Sequence, residues 1–206
     1  MQPGDNVVLT DGKGYTADSS ILLAERHQCK AAIGKVTFHS RQGSLLYLGV
    51  CFTKNNNRNE WILEKATELG VSHIIPVTAA RSEKTYVRDE RWHKILQSAI
   101  LQSRQYYLPV LTEMTPLAAI LEKYKDIGQK IIAHCIDDHD KHPFSETLKP
   151  SPETILLIGP EGDFTRNEVN LCMEDGYKPV SLGAHRLRTE TAAIAAAAYF
   201  NLVYNE

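Results

Sequence analysis

The chain has 206 residues, of which 43% are hydrophobic, and its formal net charge is −2. This length suits one ordinary domain with or without a small appendage, and the composition argues against long disordered segments. No apolar run approaches the roughly 20 residues needed to cross a bilayer, so we expect no membrane-spanning segment.

The first fifty residues are predicted to form β-structure. The short apolar stretches VVLT and SSILLAE are separated by the turn signal DGKG, and AAIGKVTF and LLYLGVCF follow them. The polar segment TKNNNRN at residues 53–59 then marks a junction. We therefore predict a small β domain over residues 1–53 and a second domain over residues 54–206.

Strands and helices alternate after this junction. Asn57 is predicted to cap a helix, with Glu60 three places on, and Gly70 is predicted to end it. The segment HIIPVT is typical of a buried strand, and a long helix is predicted over residues 89–103. Thr115-Pro116 opens a further helix, because proline is tolerated in a first helical turn.

The last third of the chain continues the alternation. KIIAHCI, TILLIG and KPVSL are short apolar strands, as expected when both faces of a sheet are covered. Thr165 and Glu168 have the spacing of a capping box, which starts a helix ending near Gly176. The alanine-rich segment ETAAIAAAAYFNLVY favours a final helix. Together these elements predict an α/β fold with a parallel sheet.

Charge is distributed unevenly along the chain. Residues 1–57 hold six Lys or Arg against four Asp or Glu, and residues 81–105 hold six against three. Residues 106–206 hold nine against fifteen. Any surface for RNA phosphates is therefore expected on the first half of the chain.

The cysteines and histidines give no signal for a metal or a disulfide. The cysteines are scattered and lack a C-x-x-C pair, so buried free thiols in a reducing compartment are expected: Cys29, Cys51, Cys135 and Cys172. The polar run at 137–142 is better explained as a solvated loop than as a metal site. The N-terminus lacks a secretory pattern, and we expect a cytoplasmic protein.

The segment LLIGPEGDFTRNE is the first candidate for chemistry. A buried strand ends at Gly159, Pro160, Glu161 and Gly162, and a capped helix follows. Ligands of parallel sheets bind just beyond the carboxyl ends of strands, although an ordinary turn would have the same spacing. The segment contains neither a Walker loop nor the G-x-G-x-x-G pattern of dinucleotide sites.

The segment SLGAHRLRTETAAI is the second candidate. Arg186, Arg188, Thr189, Glu190 and Thr191 crowd the space between a strand end and the alanine-rich helix. A helix cap with a surface ion pair would also explain them. Because both segments follow strands of one parallel sheet, we predict that they face the same crevice.

The segment SAILQSRQYYLP lies at the end of a helix in the basic stretch. Its polar residues Gln102, Ser103 and Arg104 stand beside two tyrosines. A solvated helix end, with Tyr106 and Tyr107 packed on the core, is the alternative interpretation.

Four segments, LIGPEGDF, SLGAHRLRTETA, KATELGV with IIPV and RSEK, and QSRQYYLP, resemble the RsmE-type 16S rRNA uridine N3-methyltransferases of the SPOUT class. The match runs in order from about Gly4 to the C-terminus. It implies a parallel sheet with a C-terminal trefoil knot, a PUA-like N-terminal β domain for RNA, and a homodimer. It also implies methylation of 16S rRNA in the small ribosomal subunit.

The resemblance also implies a site for S-adenosyl-L-methionine. Carried over, the cofactor loops lie around residues 134–135, 158–162 and 182–191. The expected cofactor-binding residues are His134, Ile158, Gly159, Pro160, Glu161, Gly162, Leu182, Gly183, Leu187, Arg188, Thr189 and Thr191.

Methylation of uridine N3 requires loss of a proton, so the site must control negative charge on the base. Arg188 is the first candidate to stabilise that charge, and Glu161 or Glu190 would accept the proton or orient the arginine. The candidates for RNA contacts are Lys54, Arg58, Arg81, Arg88, Gln102 and Arg104. No metal is expected.

The sequence departs from the family at three places. Met1 falls inside the N-terminal domain, so either the chain is truncated or its RNA-binding module is reduced. Asp163 stands where many members have glycine, and Gln105 stands where an arginine is common. A SPOUT ribose 2′-O-methyltransferase and a non-catalytic RNA-binding or ribosome-assembly protein are the alternative functions.

Overall fold

A computed structural model describes residues 1–83, 89–137 and 141–204. Its N-terminal part is a small antiparallel sheet of β1 (Asn6–Thr10), β2 (Tyr15–Ala24) and β3 (Cys29–Phe38). The predicted turn joins β1 to β2, where the Asp11 carboxylate accepts hydrogen bonds from the backbone N–H groups of Lys13 and Tyr15. The prediction of β-structure for this region is confirmed.

A larger parallel sheet forms the centre of the protein. Its spatial order is β6-β5-β4-β10-β8-β11-β9, with β7 beside β5, and every recorded pairing is parallel. The strands are β4 (Leu45–Val50), β5 (His73–Thr78), β6 (Val110–Leu111), β7 (Thr115–Pro116), β8 (Gln129–Ala133), β9 (His142–Pro143), β10 (Glu153–Ile158) and β11 (Lys178–Ser181). The predicted α/β fold with a parallel sheet is confirmed.

Helices cover both faces of this sheet. They are α1 (Asn56–Glu68), α2 (Asp89–Ser103), α3 (Leu117–Lys123), α4 (Phe144–Thr147), α5 (Arg166–Glu174) and α6 (Thr189–Tyr204). On one face, α1, α2 and α6 bury Leu63, Trp92 and Phe200 in a shared core. On the other, α3 and α5 bury Ile120 and Val169. The sheet is therefore apolar on both sides, which explains its uninterrupted hydrophobic strands.

The strand β4 corrects the predicted domain boundary. The sequence analysis assigned LLYLGV to the β domain of residues 1–53, but β4 lies between β5 and β10 in the parallel sheet. Its Leu48 and Val50 are fully buried. A Cβ on Gly49 would lie 2.5 Å from Leu157 of β10, so glycine permits the close packing there. The small sheet thus ends at Phe38.

The helix ends follow local sequence signals. The N-cap of α1 is Asn55, not Asn57 as predicted, because the Asn55 side chain accepts the hydrogen bond from the Asn57 N–H. Gly70, at φ +75°, follows the end of α1 as expected for a glycine stop. The predicted capping box of Thr165 and Glu168 is present at the start of α5. Pro116 is the N-cap of α3.

The small sheet packs against the chain between α2 and β6. Gly14 donates a backbone hydrogen bond to Tyr106, Leu108 donates one to Gly12, and the Tyr107 hydroxyl donates to the His39 carbonyl at 2.7 Å. The His39 and Tyr106 rings stack with centroids 3.6 Å apart. Because residues 106–108 precede β6, the small sheet lies at the amino edge of the parallel sheet.

The cysteines are free thiols, as predicted, but they differ in exposure. Cys51 and Cys172 are buried, and burial raises the pKa of each thiol to about 12. Cys29 and Cys135 are exposed, so the expectation of burial is wrong for these two. Among the described residues, no helix is both long and apolar enough to span a membrane.

Candidate active site

A cavity of about 560 Å³ opens at the carboxyl edge of the parallel sheet. Its walls are the segments that follow β8, β10 and β11, together with the first turn of α6. Carboxyl ends of parallel strands meet at one edge, so segments far apart in sequence converge there. A volume between roughly 300 and 1,000 Å³ is typical of sites for small molecules.

Most residues that the resemblance assigned to a cofactor line this cavity. They are His134, Ile158, Gly159, Pro160, Glu161, Leu182, Gly183, Leu187, Arg188 and Thr189. The two candidate segments therefore face the same crevice, as the sequence analysis predicted. The remaining two assigned residues, Gly162 and Thr191, are not part of the wall.

Gly162 has a different neighbour. Its carbonyl accepts a hydrogen bond from Arg81 Nη1 at 2.8 Å, and a Cβ on Gly162 would lie 3.3 Å from the Arg81 Cδ. The glycine lets the arginine of the loop after β5 pack closely on the loop after β10. Thr191 lies exposed on α6.

The loops around the cavity are tied to one another by hydrogen bonds. The buried Thr189 hydroxyl donates to the Gly159 carbonyl at 3.0 Å, which joins the start of α6 to the loop after β10. One carboxylate oxygen of Asp163 accepts from the Cys135 N–H at 2.9 Å, which joins that loop to the segment after β8. These contacts hold three separate segments in one wall.

Asp163 has the unusual φ of +63°. Glycine adopts this conformation most easily, but aspartate is among the few other residues that enter it routinely. Its second carboxylate oxygen accepts from the Phe164 N–H at 2.9 Å. The departure from the family pattern at this position therefore keeps the backbone turn and adds a link to Cys135.

Lys141 is a wall residue that the sequence analysis missed. Its ammonium donates to the carbonyls of His134 and Ile136 at 3.2 and 2.9 Å. Both carbonyls lie in the segment after β8, so the lysine holds that segment in place. No local pattern marks a lysine that bonds backbone carbonyls five to seven residues away.

The carboxylates of Glu161 and Glu190 share one arginine. Arg58 Nη1 lies 2.5 Å from Glu161 Oε1, and Arg58 Nε lies 3.4 Å from Glu190 Oε1. Glu161 lines the cavity, whereas Glu190 is buried and is not among the wall residues. Arg58, which the sequence analysis placed among the RNA contacts, is thus paired with both acidic residues.

The other candidates for RNA contacts lie in different places. Lys54 is exposed in the loop before α1, and Gln102 and Arg104 are exposed at the end of α2, beside the small sheet. Arg81 is exposed but bonded to Gly162. Arg88 lies outside the described residues.

Gln105 caps the end of α1. Its side-chain amide donates to the carbonyls of Thr67 and Glu68 at 2.9 and 2.7 Å, at the end of α1. Carbonyls in the last turn of a helix lack partners within the helix, so this contact stabilises the end of α1. The departure from the family pattern at Gln105 therefore has a structural role.

Within the part of the chain that the structure describes, no three His, Cys, Asp or Glu side chains are arranged to hold an ion. The polar run interpreted as a solvated loop lies partly outside that part, at residues 138–140.

Comparison with known proteins gives a consistent result. The RNA methyltransferase domain family matches residues 41–201. The ribosomal RNA small subunit methyltransferase E of Bacillus subtilis is 26% identical over 209 residues, covering 95% of this chain and 81% of that protein. This chain is also similar to a probable rRNA methyltransferase from Porphyromonas gingivalis, with a TM-score of 0.90, 32% identity, and coverage of 98% and 86%. A ribosomal RNA small subunit methyltransferase E from Neisseria gonorrhoeae, bound to S-adenosyl methionine, has a TM-score of 0.87, 27% identity, and coverage of 100% and 86%.

Proposed function

Since this chain belongs to the RNA methyltransferase domain family, we propose that it methylates N3 of a uridine in small-subunit ribosomal RNA, with S-adenosylmethionine as donor. The observation that carries the proposal is the cavity at the carboxyl edge of the sheet, lined by residues 158–161 and 182–189. The relative from Neisseria gonorrhoeae binds S-adenosyl methionine, which supports the choice of donor.

The walls of the cavity suit such a donor. Ile158, Leu182 and Leu187 offer apolar surface for an adenine ring, and Gly183, at φ +127°, has open space beside it. The first turn of α6 lies at the same cavity and presents backbone N–H groups without helical partners. We therefore assign to the donor the ten wall residues predicted from the sequence. Gly162 supports the loop from outside the wall.

The chain must then control charge and protons at the uridine. Bound S-adenosylmethionine supplies an electrophilic methyl group. For the methyl group to pass from the donor's sulfur to uridine N3, the S–CH₃ and N3–H bonds would break as the N–CH₃ bond forms, and the proton would leave to solvent or to a carboxylate. Arg188 is exposed on the cavity wall, where its guanidinium would stabilise the negative charge on the base carbonyls. Glu161 is a carboxylate on the wall, as are Asp137 and Asp163, whereas the buried Glu190 is placed for an orienting role.

We also propose the SPOUT trefoil knot for the C-terminal segment. β11 lies beside β8, yet α6 packs against β4, β10 and α1 on the other side of β8. Residues 182–188 must therefore run back across the carboxyl ends of β8 and β10. The bond from Thr189 to Gly159 ties this crossing segment to the loop after β10.

The remaining assignments concern partners. We propose that the small sheet is a PUA-like module that binds rRNA, that Lys54, Gln102 and Arg104 add contacts from outside this sheet, and that the protein is cytoplasmic. We propose a homodimer because α6 exposes Tyr199, Leu202 and Val203 near its end, with exposed fractions of 36%, 60% and 46%. Apolar side chains grouped on one helix are typical of a contact with another chain.

The test is a methylation assay. The protein is incubated with labelled S-adenosylmethionine and small ribosomal subunits that lack the modification, and digested nucleosides are analysed by mass spectrometry. We expect methyluridine whose methyl group stays with the released base. A methyl group on the ribose would support the 2′-O-methyltransferase alternative, and no incorporation with normal RNA binding would support the non-catalytic one.

Replacement of Arg188 by alanine tests the assigned charge control. We expect kcat to fall by about 10²- to 10³-fold, the usual effect of losing one group that stabilises transition-state charge. The circular dichroism spectrum should be unchanged, because the side chain is exposed. Arg91→Ala, which removes an exposed arginine paired with Glu60, is the matched control. Normal turnover in Arg188→Ala would remove the residue from the mechanism.

A further inference from the structure

Arg58 lies between the two acidic residues of the site, Glu161 and Glu190. We propose that Arg58 is a positioning residue: it holds the loop after β10 and the start of α6 in the arrangement that binds the methyl donor. The proposal rests on the proposed function, because it assumes that the cavity between these elements receives the donor.

Arg58 stands on a fixed support. It lies in the first turn of α1, and the neighbouring Asn59 is fully buried. The Asn59 side chain accepts from the Thr53 N–H and donates to the Thr53 carbonyl, both at 2.8 Å. The start of α1 is thereby fastened to the segment that follows β4, so Arg58 is presented from a helical turn that is anchored beside the sheet.

Arg58 joins two elements of the cavity. The guanidinium bonds Glu161 through Nη1 and approaches Glu190 through Nε, so one planar group contacts both carboxylates. Glu161 belongs to the loop after β10, and Glu190 belongs to the first turn of α6. The fork of an arginine suits two carboxylates at once, which a lysine ammonium matches poorly.

The carboxylate of Glu190 is largely buried. Its residue surface is only 9% exposed, and its Oε2 atom is buried without a hydrogen-bond partner in the described part of the chain. A buried carboxylate is costly unless an opposite charge stands beside it. Arg58 supplies that charge from a side chain that is itself 30% exposed. The arginine is therefore committed to the buried carboxylate of Glu190.

Two roles can be compared for Arg58: a contact to an RNA phosphate and the positioning of the cavity loops. As a phosphate contact, it would have to share its guanidinium between the RNA and two carboxylates, one of them buried. As a positioning residue, it keeps them and acts on the donor through the Glu161 loop. The geometry favours the second role.

The experiment measures donor affinity by calorimetry on the full chain. We expect Arg58→Ala to raise the Kd for S-adenosylmethionine at least 10-fold and to lower kcat, while the KM for the ribosomal subunit stays within twofold. Arg58→Lys keeps the charge near Glu190 and protects the fold. It should recover part of the affinity, because the ammonium can satisfy one carboxylate but not both. Arg91→Ala is the control and should bind like the wild type.

A double-variant comparison tests the shared contact. Because Arg58 and Glu190 act through the same contact, Arg58→Ala with Glu190→Gln should raise the Kd no more than Arg58→Ala alone. Independent, multiplying effects would contradict the proposal.

The outcomes also distinguish this inference from the proposed function. If the wild type binds the donor and both Arg58 variants bind it equally well, only the positioning role is wrong. If the variants raise only the KM for the ribosomal subunit and leave the donor affinity unchanged, Arg58 contacts RNA phosphates and the positioning role is wrong. If the wild type binds no donor, the proposed function fails and this inference fails with it.

Discussion

At the scale of single residues, the cavity depends on side chains that bond across loops. Asp163 combines a positive φ with hydrogen bonds to the backbone of Cys135 and Phe164. Lys141 and Thr189 likewise bond carbonyls of neighbouring segments. Such contacts fix the loops before any ligand arrives, and this lowers the cost of binding.

Two substitutions of Asp163 separate its backbone from its side chain. Asp163→Gly keeps the positive φ and loses the bond to Cys135, whereas Asp163→Ala loses the bond and also strains the backbone. We expect the free energy of unfolding to be about 1 kcal/mol lower for the alanine variant than for the glycine variant. Urea denaturation measures the difference. Equal stabilities would show that the turn relaxes at no cost.

Burial of His73 makes the free energy of unfolding depend on pH. The ring stacks on Tyr47 with centroids 4.0 Å apart at the start of β5. Burial lowers the pKa of His73, and the charges of Arg41 and Lys123 lower it further against the opposing effect of Glu153. The unfolded chain therefore binds a proton at this position more readily than the folded protein does.

The sign of the effect follows from proton linkage. His73 contributes full stability above its unfolded pKa of about 6.5, and that contribution is lost as the pH falls. His73→Phe keeps an aromatic ring against Tyr47 but cannot titrate. We expect its free energy of unfolding to fall less steeply than that of the wild type between pH 6.5 and pH 5. Parallel curves from denaturation at several pH values would contradict this assignment.

At the scale of elements, caps fix where the helices around the cavity begin. The α5 capping box binds Thr165 and Glu168 to each other, and the second carboxylate oxygen of Glu168 accepts from the Ala80 N–H at 2.7 Å. The box therefore also joins α5 to the loop after β5. Through Arg81 and Gly162, that loop in turn supports the loop after β10.

Thr165→Ala removes the hydroxyl of the box. We expect it to lower the free energy of unfolding by about 1 kcal/mol, the typical cost of losing an N-cap. Thr165→Ser retains the hydroxyl and should stay within a few tenths of a kcal/mol of the wild type. Chemical denaturation of the three proteins provides the measurement. A serine variant as unstable as the alanine variant would assign the effect to the methyl group instead.

At the scale of the whole molecule, the two edges of the parallel sheet have different roles. The cavity lies at the carboxyl edge, and the small sheet packs at the amino edge through residues 106–108. The Tyr107 hydroxyl bonds His39, and the Arg41 guanidinium lies 5.0 Å from the Tyr107 ring. This junction connects the proposed RNA module to the catalytic fold.

Tyr107→Phe tests the junction without touching the cavity. The ring remains for Arg41, but the bond to His39, worth about 1 kcal/mol, is lost. We expect faster hydrogen exchange at the backbone N–H groups of Gly14 and His39, and unchanged affinity for S-adenosylmethionine. Weaker donor binding in this variant would show that the two edges are coupled.

The sequence by itself determined the alternation of the longer strands and helices, the parallel sheet, the capping box and the two loop segments that face the cavity, but not the short elements β6, β7, β9 and α4. These features depend on local signals: the apolar strands, the caps, and the rule that ligands sit at carboxyl ends of parallel strands. The resemblance added the identity of the donor and the assigned wall residues.

Only the tertiary structure placed β4 inside the parallel sheet, because a short apolar strand is equally suited to either sheet until its neighbours are known. The tertiary structure likewise showed that Arg58 pairs with Glu161, which lies 103 positions away in the sequence, and that Glu190 does not line the cavity wall. The sequence does not distinguish an arginine that points into solvent from one that is paired with carboxylates. Their partners are fixed by which loops the sheet brings together, and that is a property of long-range packing.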